Sequence, residues 1–128
     1  MIDINSYTGK RYGFMSYNCW QHVVAVRHAV GIKTKMYVAK TDTVGEISLT
    51  FDIILHENKN NFISMTELKN YDIVIFKRPV AGINYYHAGV WFNGWVSHSC
   101  SVARQVVFEP LREAVKNRRS KIKMEFLR

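Results

Sequence analysis

The stretch that decides the fold is "YHAGVWFNGWVSHSC", Tyr86–Cys100. Its centre is Asn93-Gly94, one of the strongest two-residue signals for a β-hairpin turn, and an apolar run flanks it on each side. The same stretch places His87 and His98 among residues that a folded protein buries. Because a buried imidazole needs hydrogen-bond partners, the hairpin prediction also requires partners for these two rings.

A two-residue turn fixes which residues of the hairpin face one another. It places Gly89 opposite His98 and His87 opposite Cys100. Because side chains alternate along a strand, His87 and His98 share one face of the predicted sheet, with Cβ atoms roughly 5–8 Å apart. Gly89 leaves space between the two rings, so each imidazole is placed to fix the tautomer of the other. Such a pair still lacks a nucleophile or a metal.

A helix earlier in the chain supplies a thiol. Ser16 or Asn18 is suited to cap its first turn, and Gly31 is suited to end it. Residues of its buried stripe recur at helical spacing, and they are Cys19, Val23, Val26 and Val30. The pattern therefore places Cys19 in the first turn, facing whatever the helix packs against.

A cysteine in the first turn of a helix is favoured as a nucleophile. The unpaired backbone N–H groups and the positive end of the helix dipole stabilise a thiolate. A neighbouring histidine stabilises it further by forming an ion pair. The same N–H groups can donate to the oxyanion that develops when a carbonyl is attacked. The sequence thus has positions for a nucleophile, a base and an orienting group.

The rest of the chain predicts an α+β domain. The segment 33–70 carries the weakest signals, since "MYVA" favours a strand and "ISLTFDIILHENKNN" an amphipathic helix. Four further segments have clear patterns: "YDIVIFKR", a strand ended by Pro79; "QVVFEP", a strand; "PLREAVKNRR", a short helix that starts at Pro110; and "KIKMEFLR", a closing edge strand. The N-terminal helix is expected to pack on an antiparallel meander of these strands.

Length and composition predict one folded domain, residues 1–128. A chain of 128 residues with 48% hydrophobic content can bury a core of its own. Its apolar runs are too short to span a bilayer, and its first residues lack the features of a secretion signal, so we expect synthesis in the cytoplasm and no membrane span. Two cysteines are too few for a disulfide framework and are expected to be free thiols.

The positive charge of the chain is concentrated near its C-terminus. The formal net charge is +8, and residues 104–128 contribute +5 of it, with eight Lys and Arg against three Glu. Such a balance favours polyanionic surroundings, which include nucleic acid, acidic membranes and anionic cell-wall polymers. Charge alone does not choose among them.

Together these segments resemble the NlpC family of papain-like cell-wall peptidases. "YNCW" matches the family's aspartate- or asparagine-cysteine pair at the start of a helix, and "HAGVWFNGW" matches its histidine-small-glycine-hydrophobic strand. "NYDIVIFKR" matches the preceding glycine-aspartate-hydrophobic strand loosely, and "SHS" matches a second polar residue eleven positions after the first histidine. The resemblance covers most of the chain except Lys33–Glu67, and it implies a papain-like fold.

The resemblance also implies a reaction and roles for particular residues. Cys19 would be the nucleophile, His87 the general base and His98 the third, orienting residue of a cysteine peptidase. The substrate would be an amide in the peptide stems of peptidoglycan, and no metal or cofactor is required. The same three residues also suit amidase or acyl-transfer chemistry. Without a secretion signal, the protein would reach the cell wall in a phage particle, through host lysis or by injection from a secretion machine.

The family further carries a tyrosine near the oxyanion site. "GKRYG" matches its context and nominates Tyr12. The gap from Tyr12 to Cys19 is shorter than the family's usual gap, which leaves Tyr7 and Tyr17 as alternatives. Trp20 follows the cysteine where many members have serine, and it resembles the phage-tail branch of the family.

Two alternatives belong to other classes of protein. Cys19 and His22 have the spacing to share one side of a helix, and His98 and Cys100 are further zinc ligands by type, so a small zinc site is one alternative. A basic nucleic-acid-binding module that uses residues 104–128 is the other. Its basic residues are not interleaved with aromatic ones in any recognised module, which makes a nucleic-acid partner the weaker expectation.

The remaining histidines and the second thiol have less definite expectations. His22 and His28 are expected to be surface or flanking residues of the helix. Cys100 faces His87 in the predicted register and is therefore an alternative thiol partner for it. A strand position gives Cys100 no helix dipole, so Cys19 is the preferred nucleophile.

Overall fold

The computed structural model describes residues 2–116 and 122–128 and contains one six-stranded antiparallel sheet. The described residues also form three α-helices, α1 (Cys19–Ala29), α2 (Val44–Glu57) and α3 (Leu111–Lys116). The strands are β1 (Phe62–Ile63), β2 (Ile73–Val80), β3 (Ile83–Phe92), β4 (Trp95–Cys100), β5 (Gln105–Pro110) and β6 (Lys123–Leu127). Their order across the sheet is β1-β6-β2-β3-β4-β5. The predicted α+β class, with an N-terminal helix packed on an antiparallel meander, is confirmed.

Each face of the sheet has its own apolar cluster. One cluster joins α1 and α2 to the sheet, through Val23 and Val26 of α1, Phe51 and Ile54 of α2, and Ile73, Ile75, Ala88 and Val90 of β2 and β3. The other cluster lies on the opposite face and contains Val74, Phe76, Val96, Ala114 and Phe126. Alternation along β2 and β3 explains this division, since neighbouring residues point to opposite faces. The cysteine-bearing helix and α3 therefore lie on opposite sides of the sheet.

Helix α1 begins and ends where the sequence predicts. The Asn18 side chain accepts from the backbone N–H of Gln21 at 2.9 Å, and the Gln21 side chain accepts from the backbone N–H of Asn18 at 2.7 Å. This reciprocal capping box satisfies two N–H groups that a helix start leaves unpaired. Gly31, with φ +84°, follows the last turn. Cys19 is consequently the first residue of α1, as expected.

The predicted hairpin joins β3 and β4. Asn93 and Gly94 both have positive φ, 49° and 86°, as a two-residue type I′ turn requires. The ladder pairs Phe92 with Trp95 and ends two pairs later at Val90 and Ser97. Beyond this point β3 continues along β2, and β4 continues along β5. The two middle strands of the meander therefore separate at the end of the sheet that contains His87, His98 and Cys100.

Gly89 still lies against β4 beside this opening. A Cβ atom at Gly89 would be 2.6 Å from Val96 Cγ1 and 3.0 Å from the Cβ of His98. The predicted pairing of Gly89 with His98 and of His87 with Cys100 is not part of the β3–β4 ladder. Gly89 and His98 are nevertheless close in space, as predicted. The glycine is required here by close packing, because its φ is not in the left-handed region.

Several expectations outside the hairpin were wrong. Strand β2 passes through Pro79 to Val80 and turns at Ala81 and Gly82, both with positive φ. Among residues 2–116 and 122–128, the pairing of β6 with β2 ends at Lys77, and Pro79 pairs only with Asn84 of β3. A proline is tolerated where its missing N–H is not needed by a second neighbouring strand.

Strand β6 is not an edge strand, because it lies between β2 and the two-residue β1. "MYVA" forms no strand, whereas the predicted amphipathic helix is α2. The predicted C-terminal helix is α3, and its expected continuation at residues 117–119 lies outside the described residues. Within the part of the chain that the structure describes, no helix is long and apolar enough to cross a bilayer.

Candidate active site

The first turn of α1 is attached to the part of β4 that carries His98. The Ser99 hydroxyl donates to the backbone carbonyl of Tyr17 at 2.8 Å. One turn into α1, His22 Nε2 lies 2.8 Å from the hydroxyl of Ser97. Because Ser97 and Ser99 flank His98 in the sequence, the N-terminus of α1, with Cys19 as its first residue, lies over this segment of β4.

The structure brings His87 and His98 into direct contact. His87 Nε2 and His98 Nδ1 are 2.7 Å apart, and the ring centroids are separated by 4.9 Å at an interplanar angle of 79°. Both residues are buried. The hydrogen bond crosses the opening where β3 and β4 separate, and the ring of His87 stacks on Phe76 with centroids 6.0 Å apart. The pair is therefore held by packing as well as by its hydrogen bond.

A carboxylate that the sequence analysis missed lies on the far side of His98. Glu109 Oε1 is 3.5 Å from His98 Nε2, which is buried and makes no hydrogen bond with any described residue. Glu109 lies on β5, two residues beyond Val107, the partner of His98 in the β4–β5 ladder. The signal in the sequence was an acidic residue inside the apolar run "QVVFEP". Whether this acidic residue lies near His98 depends on the register between β4 and β5, which local sequence patterns do not determine.

Tyr12, the predicted oxyanion residue, lies beside Cys19. Both line an open cleft of about 400 Å³ whose other walls include Trp20, Tyr37 and Phe51. Burial raises the pKa of the Tyr12 phenol, and negative charge on Cys19, Asp42 and Cys100 raises it further. A phenol that keeps its proton is a hydrogen-bond donor. Tyr12 is therefore placed and protonated as a donor near the first residue of α1.

The two alternative tyrosines are engaged elsewhere. The Tyr17 hydroxyl lies 2.7 Å from His22 Nδ1, and the ring of Tyr7 packs edge-on against His22 with centroids 5.5 Å apart. Burial raises the pKa of Tyr17, so this phenol also stays protonated. Of the three tyrosines considered from the sequence, Tyr12 is the one that lines the cleft with Cys19.

Cys100 also lies close to the histidine pair. It lines a second cleft, of about 570 Å³, together with His87, Arg78 and Tyr86. It occupies the last position of β4 and is half-buried. Cys19 and Cys100 both lie near Tyr12, one at a helix N-terminus and one on a strand. The helix position is the one whose backbone N–H groups stabilise a thiolate.

His22 was expected near the surface, and this was wrong. Its side chain is fully buried between the hydroxyls of Tyr17 and Ser97, one on each ring nitrogen. Burial, together with smaller effects of positive charge on His98 and Lys10, lowers its pKa from 6.5 to about 3. His22 is therefore a neutral ring that ties α1 to β4. His28, by contrast, is exposed as expected.

The geometry does not favour the zinc alternative. Both nitrogens of His22 are in hydrogen bonds, so neither is available as a ligand. Among residues 2–116 and 122–128, no group of three or more His, Cys, Asp or Glu side chains is arranged to hold a metal ion.

Comparison with known proteins gives a fold but no close relative. No protein-family model matches the sequence, and no curated protein matches it. Among solved structures, NlpC2 from Trichomonas vaginalis aligns with 98% of this chain at a TM-score of 0.64 and 11% sequence identity. Two structures of an N-acetylmuramoyl-L-alanine amidase from Bacteroides uniformis align with 48% and 73% of the chain, at TM-scores of 0.42 and 0.40 and identities of 24% and 15%.

The alignment with NlpC2 establishes the fold. The match to NlpC2 extends over nearly the whole chain, and it confirms the NlpC-like, papain-like fold that the sequence resemblance implied. At 11% identity the likeness concerns the arrangement of helices and strands and not individual residues. The chain spans 43% of the length of NlpC2, and 28% and 52% of the two amidase chains.

Proposed function

We propose that this protein is a cysteine hydrolase that cleaves amide bonds in the peptide stems of peptidoglycan. The observation that supports it best is the 2.7 Å contact between His87 and His98, in a fold whose helix α1 begins with Cys19. Nucleophilic catalysis by cysteine requires a base within reach of the thiol, and in this proposal His87 is that base for Cys19. The NlpC-like fold is consistent with a cell-wall substrate.

The proposed reaction assigns one step to each residue. His87 accepts the thiol proton of Cys19, and the thiolate attacks the carbonyl carbon of the scissile amide. The backbone N–H groups at the start of α1 and the Tyr12 hydroxyl donate to the oxyanion. His87 then gives its proton to the leaving amine, and water releases the acyl group from the sulfur. His98 holds the ring of His87 throughout, and no cofactor takes part.

The delivery of the protein to its substrate is a further part of this proposal. The net charge of +8 suits contact with an anionic cell-wall polymer. We propose synthesis in the cytoplasm, followed by transfer to the cell wall or periplasm by a phage particle or a secretion machine. A phage-tail or effector-delivery partner would serve this step.

Digestion of purified sacculi tests the proposed function. Wild-type protein is expected to release muropeptide fragments, whose masses identify the amide that is cleaved and so distinguish a peptidase from an amidase. Cys19→Ala should release none above background, whereas Cys100→Ala, the matched control, should release them at the wild-type rate. Equal release by wild type and Cys19→Ala contradicts the proposal. If Cys100→Ala releases no fragments while Cys19→Ala still does, Cys100 would be the nucleophile instead of Cys19.

A further inference from the structure

Three ionisable side chains occupy one face of three successive strands. His87 lies on β3, His98 on β4 and Glu109 on β5. In the β4–β5 ladder His98 is opposite Val107 and Val96 is opposite Glu109, so Glu109 is a diagonal neighbour of His98 on the same face. The contacts run in order: 2.7 Å between the two imidazoles, then 3.5 Å from His98 Nε2 to Glu109 Oε1.

The carboxylate selects the position of the proton on His98. An ionised carboxylate only accepts hydrogen bonds, so an unprotonated His98 Nε2, with its lone pair toward Glu109, would be repelled by the carboxylate. A protonated Nε2 instead meets a negative charge in a buried setting, where the interaction is stronger than in water. The Nε2–H form of His98 is therefore favoured, and its Nδ1 carries a lone pair.

That choice fixes the proton on His87 as well. Since His98 Nδ1 is an acceptor, the 2.7 Å contact requires His87 Nε2 to donate. The neutral ring of His87 then has its lone pair on Nδ1, the nitrogen that faces away from His98. A general base must present an unprotonated nitrogen to the group that it deprotonates. The tautomer set at Glu109 is thus transmitted through two rings to the proposed base.

We propose that Glu109 is a positioning residue for the hydrolysis, fixing the tautomer of His98 and through it the lone pair of His87. This inference rests on the proposed function and deepens it, since it adds a fourth residue to Cys19, His87 and His98. When His87 takes the thiol proton, positive charge develops on the two rings, and the carboxylate stabilises it. The 3.5 Å separation is longer than a hydrogen bond, as catalytic contacts often are before substrate binds.

Two variants of Glu109 test whether this residue positions the histidines or only supports the folded structure. Glu109→Gln keeps a carbonyl oxygen that can accept and loses the charge, whereas Glu109→Leu loses both. We expect kcat on a stem-peptide amide to fall about tenfold in Glu109→Gln and about a hundredfold in Glu109→Leu, with KM changed less than about twofold. Glu125→Gln, an exposed acid on β6, is the matched control and should leave kcat unchanged.

The second readout is the tautomer itself, measured by long-range ¹H–¹⁵N NMR correlation on histidine-labelled protein. In the wild type both His87 and His98 are expected as the Nε2–H form, and in Glu109→Leu the two rings should become mixtures. Unchanged tautomers in Glu109→Leu overturn the proposal, even if activity is lost, since the loss would then be structural. Wild-type kcat in Glu109→Leu overturns it too. The NMR measurement needs no substrate, so it tests the tautomers independently of activity. A wild-type protein that is inactive on sacculi would refute the proposed function, and the NMR result would still decide whether Glu109 sets the tautomers.

Discussion

Two buried histidine networks lie on opposite faces of the same strand. On the α1 side of β4, Ser97 contacts His22, which contacts Tyr17. On the other side, the next residue along the strand, His98, contacts His87. Both networks satisfy buried imidazoles by hydrogen bonds, so burial and hydrogen bonding do not distinguish them.

The partners of the rings distinguish the two networks. His22 has a neutral hydroxyl on each nitrogen, and its pKa is lowered to about 3, so it stays uncharged in ordinary buffers. His98 has a second imidazole on one nitrogen and a carboxylate near the other, so its network can carry a proton and stabilise the resulting charge. His87 and His98 also line open clefts. The first network is suited to holding α1 on the sheet, and the second to proton transfer.

Replacement of His87 tests the second network with the largest expected effect. His87→Ala removes the proposed base, so kcat on a stem-peptide amide should fall about 10³-fold. The thermal unfolding midpoint should change far less than the activity does, which circular dichroism checks. Activity within tenfold of the wild type would show that the two networks do not differ as described.

Replacement of His22 tests the first network. His22→Ala should lower the free energy of unfolding by about 3 kcal/mol, because it leaves a cavity and removes a partner from both Tyr17 and Ser97. Urea unfolding measures this, with His28→Ala as an exposed control expected within about 0.5 kcal/mol of wild type. If His22→Ala lowers the free energy of unfolding no more than His28→Ala does, His22 does not hold α1 on the sheet.

Gly89 connects the hairpin to the second network. A methyl group at Gly89 must displace Val96 or His98, so Gly89→Ala should cost about 1–3 kcal/mol of stability and lower kcat through movement of His98. Gly45→Ala on α2 is the control, because nothing lies within 4 Å of its added Cβ. Equal unfolding midpoints for the two variants would contradict the tight packing at Gly89.

The first network should also make stability depend on pH. The pKa of His22 is lower in the folded protein, about 3, than its ordinary 6.5, so the unfolded chain binds the proton more readily. Stability from this ring is therefore present above pH 6.5 and is lost as pH falls toward 3, with a slope of at most about 1.4 kcal/mol per pH unit. In His22→Gln the unfolding free energy should fall less steeply in this range. Parallel curves for the two proteins would contradict a neutral His22.

The parts of the fold that the sequence predicted are those with local signals. Asn93-Gly94 predicted the turn between β3 and β4, and Asn18 with Gly31 predicted both ends of α1. The position of β6 between β2 and the two-residue strand Phe62–Ile63 depends on contacts far apart in the chain. No turn or period in the sequence encodes that choice of neighbours, so it was missed.

The candidate site divides in the same way. His87 and His98 were placed on one face by alternation around a known turn, a short-range argument. Glu109 and His22 were missed because their partners lie across a second register, β4 with β5 for Glu109 and α1 with β4 for His22. The sequence predicted the pair within one hairpin and could not predict what the neighbouring elements add to it.

The most direct test of the central claim measures the reactivity of the two thiols. Iodoacetamide is added at neutral pH, and alkylation of Cys19 and Cys100 is followed by peptide mass spectrometry in wild type and in His87→Ala. If the histidine pair activates the helix thiol, Cys19 reacts at least about tenfold faster than Cys100, and His87→Ala abolishes the difference. Cys19 reacting no faster than Cys100, or equally fast with and without the imidazole of His87, would contradict the account.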